Sequence, residues 1–173
     1  MLFVAHQFSG NKIEKNRELA SLAILKQLMP LPHSNNIFDD RKTLDDLSST
    51  VYRARNGTSN VGLVFMPLIA EGYSGPVQLA MGISYAGEIT AVRVTAHHET
   101  PGLGDAIDLQ VSPWILQFNS RYLDEDNVQD WAVHEEGGKL DAISGATITS
   151  RNLINTIRDT LQYYKLNREE LFK

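Results

Sequence analysis

Four hydroxyl side chains, Ser144, Thr147, Thr149 and Ser150, fall within the run Asp141-Ala142-Ile143-Ser144-Gly145-Ala146-Thr147-Ile148-Thr149-Ser150, directly ahead of a pattern with helical spacing. Each can accept a bond from the backbone N–H groups that the first turn of a helix leaves without partners. Gly145 and Ala146 carry little or no side chain, so a ligand could approach the main chain there. The positive end of a helix dipole and its free N–H groups would then point at whatever lies beside Thr147, and a phosphate is the natural occupant. An ordinary capped helix after a turn has the same spacing.

Two further stretches hold residue types with chemical potential. His97-His98-Glu99 offers imidazoles and a carboxylate, but adjacent residues on an extended chain point to opposite faces, so the two imidazoles would not converge on one metal ion. One histidine could still line a ligand or donate a hydrogen bond to it. Thr100-Pro101-Gly102-Leu103-Gly104 places a rigid residue before two permissive glycines around one apolar side chain. That pattern suits a strand-to-helix connector, or a loop whose N–H groups and Leu103 lie against a flat ligand. The pairs Asp39-Asp40 and Asp45-Asp46 lack a His or Glu at ligand spacing and read as solvated loop.

Asp141-x-x-Ser144-Gly145-Ala146-Thr147 resembles the Asp-x-x-(Ser/Thr)-Gly-Ala-Thr flavinylation motif of an FMN-binding domain. That domain is shared by the G subunit of the Rnf electron-transport complex and the C subunit of the sodium-pumping NADH:quinone reductase. Glu99-Thr100-Pro101-Gly102-Leu103-Gly104 resembles the second signature of the same domain, and Gly72-Tyr73-Ser74-Gly75-Pro76-Val77 is more similar to the Rnf subunit. The resemblance spans Val61 to Leu166. It implies FMN held covalently by a phosphoester to Thr147. Ser144, Gly145, Ala146 and Thr149 would surround the phosphate, and Glu99, Thr100, Gly102, Leu103 and Gly104 the flavin. It also implies a separate magnesium-dependent flavin transferase, since nothing beside Thr147 in sequence resembles an activating base. The domain would be an electron carrier, not catalytic alone, working with other subunits of a membrane-bound, ion-translocating oxidoreductase on the periplasmic side of a bacterial inner membrane. Family members usually begin with a transmembrane helix. Here Met1-Leu2-Phe3-Val4-Ala5 reads as the tail of an apolar segment, with the anchor missing from the chain. Two other classes stay open: a hydrolase or acyl transferase with Ser144 or Thr147 as nucleophile and His97 or His98 as base, and a structural subunit without cofactor. The first lacks a Gly-x-Ser-x-Gly elbow.

Composition narrows the classes further. A net charge of −5 with no Lys/Arg cluster argues against nucleic acid. With no cysteine the chain has no disulfide, thiolate nucleophile or iron–sulfur ligand, so any redox chemistry must come from a cofactor. No apolar run approaches the ~18 to 20 residues needed to span a bilayer. At 173 residues and 42% hydrophobic, the chain can bury one core.

The elements that must position these residues follow from periodicity. Residues 12 to 29 fit a helix ended by Pro30 and Pro32, and residues 30 to 50 read as a polar loop. This divides the chain into an arm over 1–50 and an FMN-binding domain over 51–173. Val51 to Arg55 and Val61 to Met66 flank Asn56-Gly57 as a hairpin. Val77, Leu79, Met81, Ile83 and Tyr85 alternate with small or polar residues, leaving room on the second face for a helix or a flat ligand. Ile89 to Ala96 returns as the next strand after Ala86-Gly87-Glu88. A mid-chain helix is expected within Asp105 to Phe118, interrupted by Pro113, with Trp114 as core anchor or ligand neighbour; Trp131-Ala132-Val133 is expected as a short strand. Leu153, Ile154, Ile157, Leu161 and Tyr164 mark the apolar face of a C-terminal helix, and the tail from Asn167 is expected to fray. The fold class is α+β: a single domain with an antiparallel sheet flanked by helices and an N-terminal helical arm.

Overall fold

The computed structural model describes residues 19–173. The expected start of the first helix at residue 12 and the apolar residues 1–5 lie outside this range. Residues 19–28 are helical (α1), and the chain leaves the helix before Pro30, which cannot continue it.

Five strands follow, β1 (Arg41–Leu44), β2 (Ser49–Asn56), β3 (Ser59–Gly72), β4 (Gly75–Ser84) and β5 (Ile89–Ala96). They pair antiparallel with neighbours in sequence order, forming a meander. The Asn-Gly hairpin forms as expected, with Asn56 opposite Ser59. So does the β4–β5 hairpin, whose alternation sends Val77, Leu79, Met81 and Ile83 into the core. The polar stretch before β2 is not all loop, because Arg41–Leu44 forms the edge strand β1. Its charged residues suit an edge, where one side of the backbone meets water.

Helix α2 (Thr147–Leu171) packs Leu153, Ile154, Ile157, Leu161 and Tyr164 onto the same sheet face as Leu63, Phe65, Leu79 and Met81. Burial of each such side chain contributes about 1.5–3 kcal/mol, so packing onto the sheet, more than intrinsic propensity, holds the helix. The expected fraying of its end is not seen: α2 continues to Leu171, and Arg55 donates to Phe172 O at 2.6 Å. The opposite sheet face is covered by α1, with Leu25, Leu28 and Met29 against Ala54, Val64, Ala80 and Ala91. The small residues of β4 therefore make room for a helix. Gly82 shows how close the approach is, since a Cβ there would run into the Leu28 carbonyl.

Between β5 and α2 the chain forms short 3-10 turns. The expected mid-chain helix is two of these, Gly104–Ile107 and Pro113–Phe118, the second opening at Pro113, whose fixed φ suits the first position of a helical turn. The expected strand at Trp131-Ala132-Val133 is reduced to one parallel bridge between Val133 and Leu140. Trp131 belongs to the core, stacked on Phe118 at a ring separation of 6.4 Å.

Candidate functional site

Four rigid ends converge at one end of the sheet, where strands turn or finish. β3 ends and β4 begins at the turn Gly72–Gly75, and β5 ends beside the start of β4, with Ala96 opposite Gln78. The fourth end is the N-terminus of α2. Tyr73 N donates to Thr149 Oγ1 at 2.9 Å, and Asn152 Nδ2 donates to Glu71 O at 2.8 Å. The run preceding the helix is fixed from its other side, where Trp114 Nε1 donates to Asp141 O at 2.7 Å and Asp141 N donates to Gln117 Oε1 at 2.8 Å.

At the junction lies a cavity of about 320 Å³ lined by Tyr73, Glu99, Thr100, Leu103, Gly104, Gly145, Ala146, Thr147 and Ile148. Its rim is apolar and open to solvent: Tyr73 is 77%, Leu103 49% and Ile148 50% exposed. The two motifs touch here, and a Cβ built on Gly145 would lie 3.0 Å from Leu103 Cδ2. Gly145 also has φ +80, a left-handed conformation that favours glycine. Larger clefts of about 600 and 410 Å³ lie elsewhere, beside Tyr122 and Arg168 and beside Arg93 and His97, and neither contains a residue of the two motifs. Volume alone does not locate the chemistry.

The four hydroxyls have separate fates. Ser144 is exposed in the turn before the helix. Thr147 is the first helical residue and lines the cavity. Thr149 is fully buried and donates from Oγ1 to Glu99 Oε2 at 2.9 Å. Ser150 is also buried, donating to Ala146 O at 3.0 Å and accepting from Ile143 N at 2.9 Å. None caps the helix. The cap position is held by Ala146, and no side chain bonds to the first-turn N–H groups. The expectation that these serines and threonines cap α2 is thus corrected: the hydroxyls that point inward are held by tertiary contacts.

A helix N-terminus without a side-chain cap, beside a hydroxyl and an apolar cavity flanked by glycine and alanine, is suited to a ligand with an anionic end and a flat apolar end. A family model described as the FMN-binding domain matches residues 72–162, which contain all of these elements. The chain belongs to the FMN-binding domain family. Among relatives, the G subunit of the ion-translocating oxidoreductase complex of Pseudoalteromonas atlantica is 37% identical over 93% of this chain and 79% of its own. The protein of the same name from Vibrio cholerae is 32% identical over 99% of this chain and 85% of its own. Among solved structures, NqrC of Shewanella oneidensis covers 72% of this chain and 70% of its own, at 19% identity and a TM-score of 0.48.

The FMN-binding domain brings most of the sequence-predicted residues together. Glu99, Thr100, Leu103, Gly104, Gly145, Ala146 and Thr147 line one cavity. Gly102, with φ +78, makes the turn that holds Leu103 out to solvent. The N–H groups at these two positions are used locally, Gly102 N on Asp105 Oδ1 at 2.9 Å and Leu103 N on Thr100 O at 3.1 Å, so the loop offers side chains there and not those donors. The histidines stand apart. His98 is exposed, while His97 accepts from Glu99 N at 3.1 Å and lines the cleft beside Arg93. Neither lines the cavity with Thr147, so the pairing of these histidines with Thr147 that the hydrolase reading expects is not brought together there. Tyr73 and Ile148 were not among the expected site residues. Tyr73 lies inside the Gly-Tyr-Ser-Gly turn, and Ile148 directly follows Thr147.

Proposed function

We propose that this chain is the FMN-carrying, electron-transferring G subunit of an Rnf-type ion-translocating oxidoreductase, with the flavin joined to Thr147 through a phosphoester. The observation that carries the reading is the position of Thr147, the first residue of an uncapped helix and part of the wall of the cavity formed by both motifs. In this reading the first turn of α2, with Gly145 and Ala146 before it and Ser144 beside them, would hold the FMN phosphate. Leu103, Thr100 and Gly104 form the wall for the ring, and Gly102 sets the turn that presents Leu103. Glu99 and Thr149 hold the segments in register. The remaining negative charge of the diester is stabilised by the helix N-terminus by about 0.3–2 kcal/mol.

Attachment needs a separate flavin transferase. Thr147 would supply Oγ as the nucleophile toward the FMN phosphorus of FAD, with AMP as the leaving group when the pyrophosphate bond breaks and a base of the transferase taking the hydroxyl proton. A cavity of about 320 Å³ lies at the low end of ligand sites, and with its rim open to solvent a covalent tether would remove the need for full burial. An open rim also suits electron exchange with other subunits. Bound FMN supplies the electron chemistry that these side chains lack.

Among the described residues no helix is long and apolar enough to cross a membrane. The periplasmic side of a bacterial inner membrane is part of the proposal; what supports a membrane setting is that the relatives are named as subunits of an ion-translocating oxidoreductase complex. The test is the intact mass of the protein coexpressed with an active flavin transferase. A gain equal to FMN less water, mapped to Thr147 and absent from Thr147→Ala, supports the reading. An unmodified Thr147, with the transferase active on another substrate, overturns it.

A further inference from the structure

Glu99 is a carboxylic acid only 6% exposed, with no cationic partner among the described residues. Both oxygens accept hydrogen bonds, Oε1 from Ser74 N at 3.0 Å and Oε2 from Thr149 Oγ1 at 2.9 Å, as a carboxylate does. Gly72 and Gly104 flank it so closely that a Cβ at either would collide with its oxygens. Thr149 lies in the first turn of α2, so the positive end of the helix faces this group from within the fold. Burying an anion without a counter-ion is costly, and a packed apolar side chain would be cheaper if only structure were at stake. Yet Glu99 lines the same cavity as Thr147.

We infer that Glu99 is a positioning and tuning residue: its buried carboxylate locks the 72–75 turn to α2 and places a fixed negative charge against the cavity that lowers the reduction potential of a flavin held there. The inference rests on the flavin reading of Thr147. An electron accepted by the ring adds one negative charge until a solvent proton follows it, and a nearby carboxylate in a water-poor setting opposes that charge. Thr149 modulates the effect, because its hydroxyl and the helix dipole partly neutralise the carboxylate.

Removing the charge and removing its neutralising donor therefore act in opposite directions. The experiment is a dithionite titration, with a reference dye, of the full chain flavinylated by coexpression with the transferase. In Glu99→Gln the potential should rise, by on the order of a tenfold change in the one-electron equilibrium, or about 59 mV. In Thr149→Val, which leaves the charge and removes its donor, the potential should fall. Thr149→Ser should restore the wild-type value. A purely structural role moves both variants in the same direction or neither, and that outcome overturns the inference. If Glu99→Gln does not accumulate folded, the sign of the Thr149→Val shift decides: a fall supports, and no change or a rise overturns. Wild-type protein without flavin on Thr147 overturns the attachment reading and this inference with it. A flavinylated wild type whose potential matches both variants overturns only the inference.

Discussion

The contact between Thr149 and Glu99 joins residues 50 positions apart and couples the two motifs, so a double-mutant cycle in the unmodified protein measures it directly. Thr149→Val preserves shape and removes one oxygen with two bonds. The bond from Tyr73 N is of ordinary strength, about 0.5–1.5 kcal/mol, and the bond to the carboxylate is worth about 1.5–3 kcal/mol. Their sum predicts a loss of about 2–4.5 kcal/mol. With a urea m-value of about 2 kcal/mol/M the midpoint should fall by roughly 1–2 M. Glu99→Gln should cost about 1–3 kcal/mol, since an amide cannot accept at both ends. The double variant has already lost the shared bond, so its cost should fall short of the sum of the single costs by about 1–3 kcal/mol. Urea melts followed by far-UV circular dichroism, accepted only if the m-values agree, supply all four corners of the cycle. Costs that add to within about 0.5 kcal/mol would show that the two residues act independently, and the lock would be refuted.

Gly82→Ala should cost about 1–3 kcal/mol by overpacking and should release α1 specifically, because the new methyl meets the Leu28 carbonyl. Hydrogen exchange should then speed up over residues 19–28 with little change in α2, and uniform acceleration would contradict this. Tyr164 should govern part of the alkaline limb of stability. Burial raises its pKa, only partly countered by Arg168, and its hydroxyl donates to Tyr85 O at 2.9 Å. A pKa raised in the folded state means that its contribution is complete below the unfolded value of about 10 and is lost as pH climbs toward the folded one. Melts between pH 8 and 11.5 should decline more gently for Tyr164→Phe, and parallel declines would rule the group out.

The sequence made local features legible and left distant ones hidden. Asn56-Gly57 and the alternation from Val77 to Ile83 are self-contained signals, and the β2–β3 and β4–β5 hairpins followed them. Helix α2 was visible from its apolar stripe, and the cavity-lining threonine from the motif that opens it. Arg41–Leu44 was missed because an edge strand needs little apolar patterning and takes its register from β2. Trp131-Ala132-Val133 looked like a strand by composition, but its large ring is required in the core against Phe118. Its apolar character reflected burial, not pleat. The hydroxyl run misled in a similar way. Composition favoured capping, whereas Thr149 and Ser150 found partners only once Glu99, Tyr73 and Ile143 had been brought to them by the fold.

That difference bears on how the site works. A serine or threonine cap would have occupied the N–H groups that the proposed phosphate would need, and the absence of a side-chain cap at Ala146 costs the isolated helix about 0.5–2 kcal/mol. The tertiary bonds of Thr149 and Ser150 offset it without covering the helix end. The same N-terminus then faces two anions from opposite sides, the Glu99 carboxylate within and, in the proposed flavinylated form, a phosphodiester outside. Two negative charges that share one dipole weaken each other's stabilisation. Attaching FMN should therefore stabilise Glu99→Gln more than wild type. Melting the modified and unmodified forms of both proteins measures the difference, and equal increments would show that the carboxylate and the phosphate do not compete for the helix.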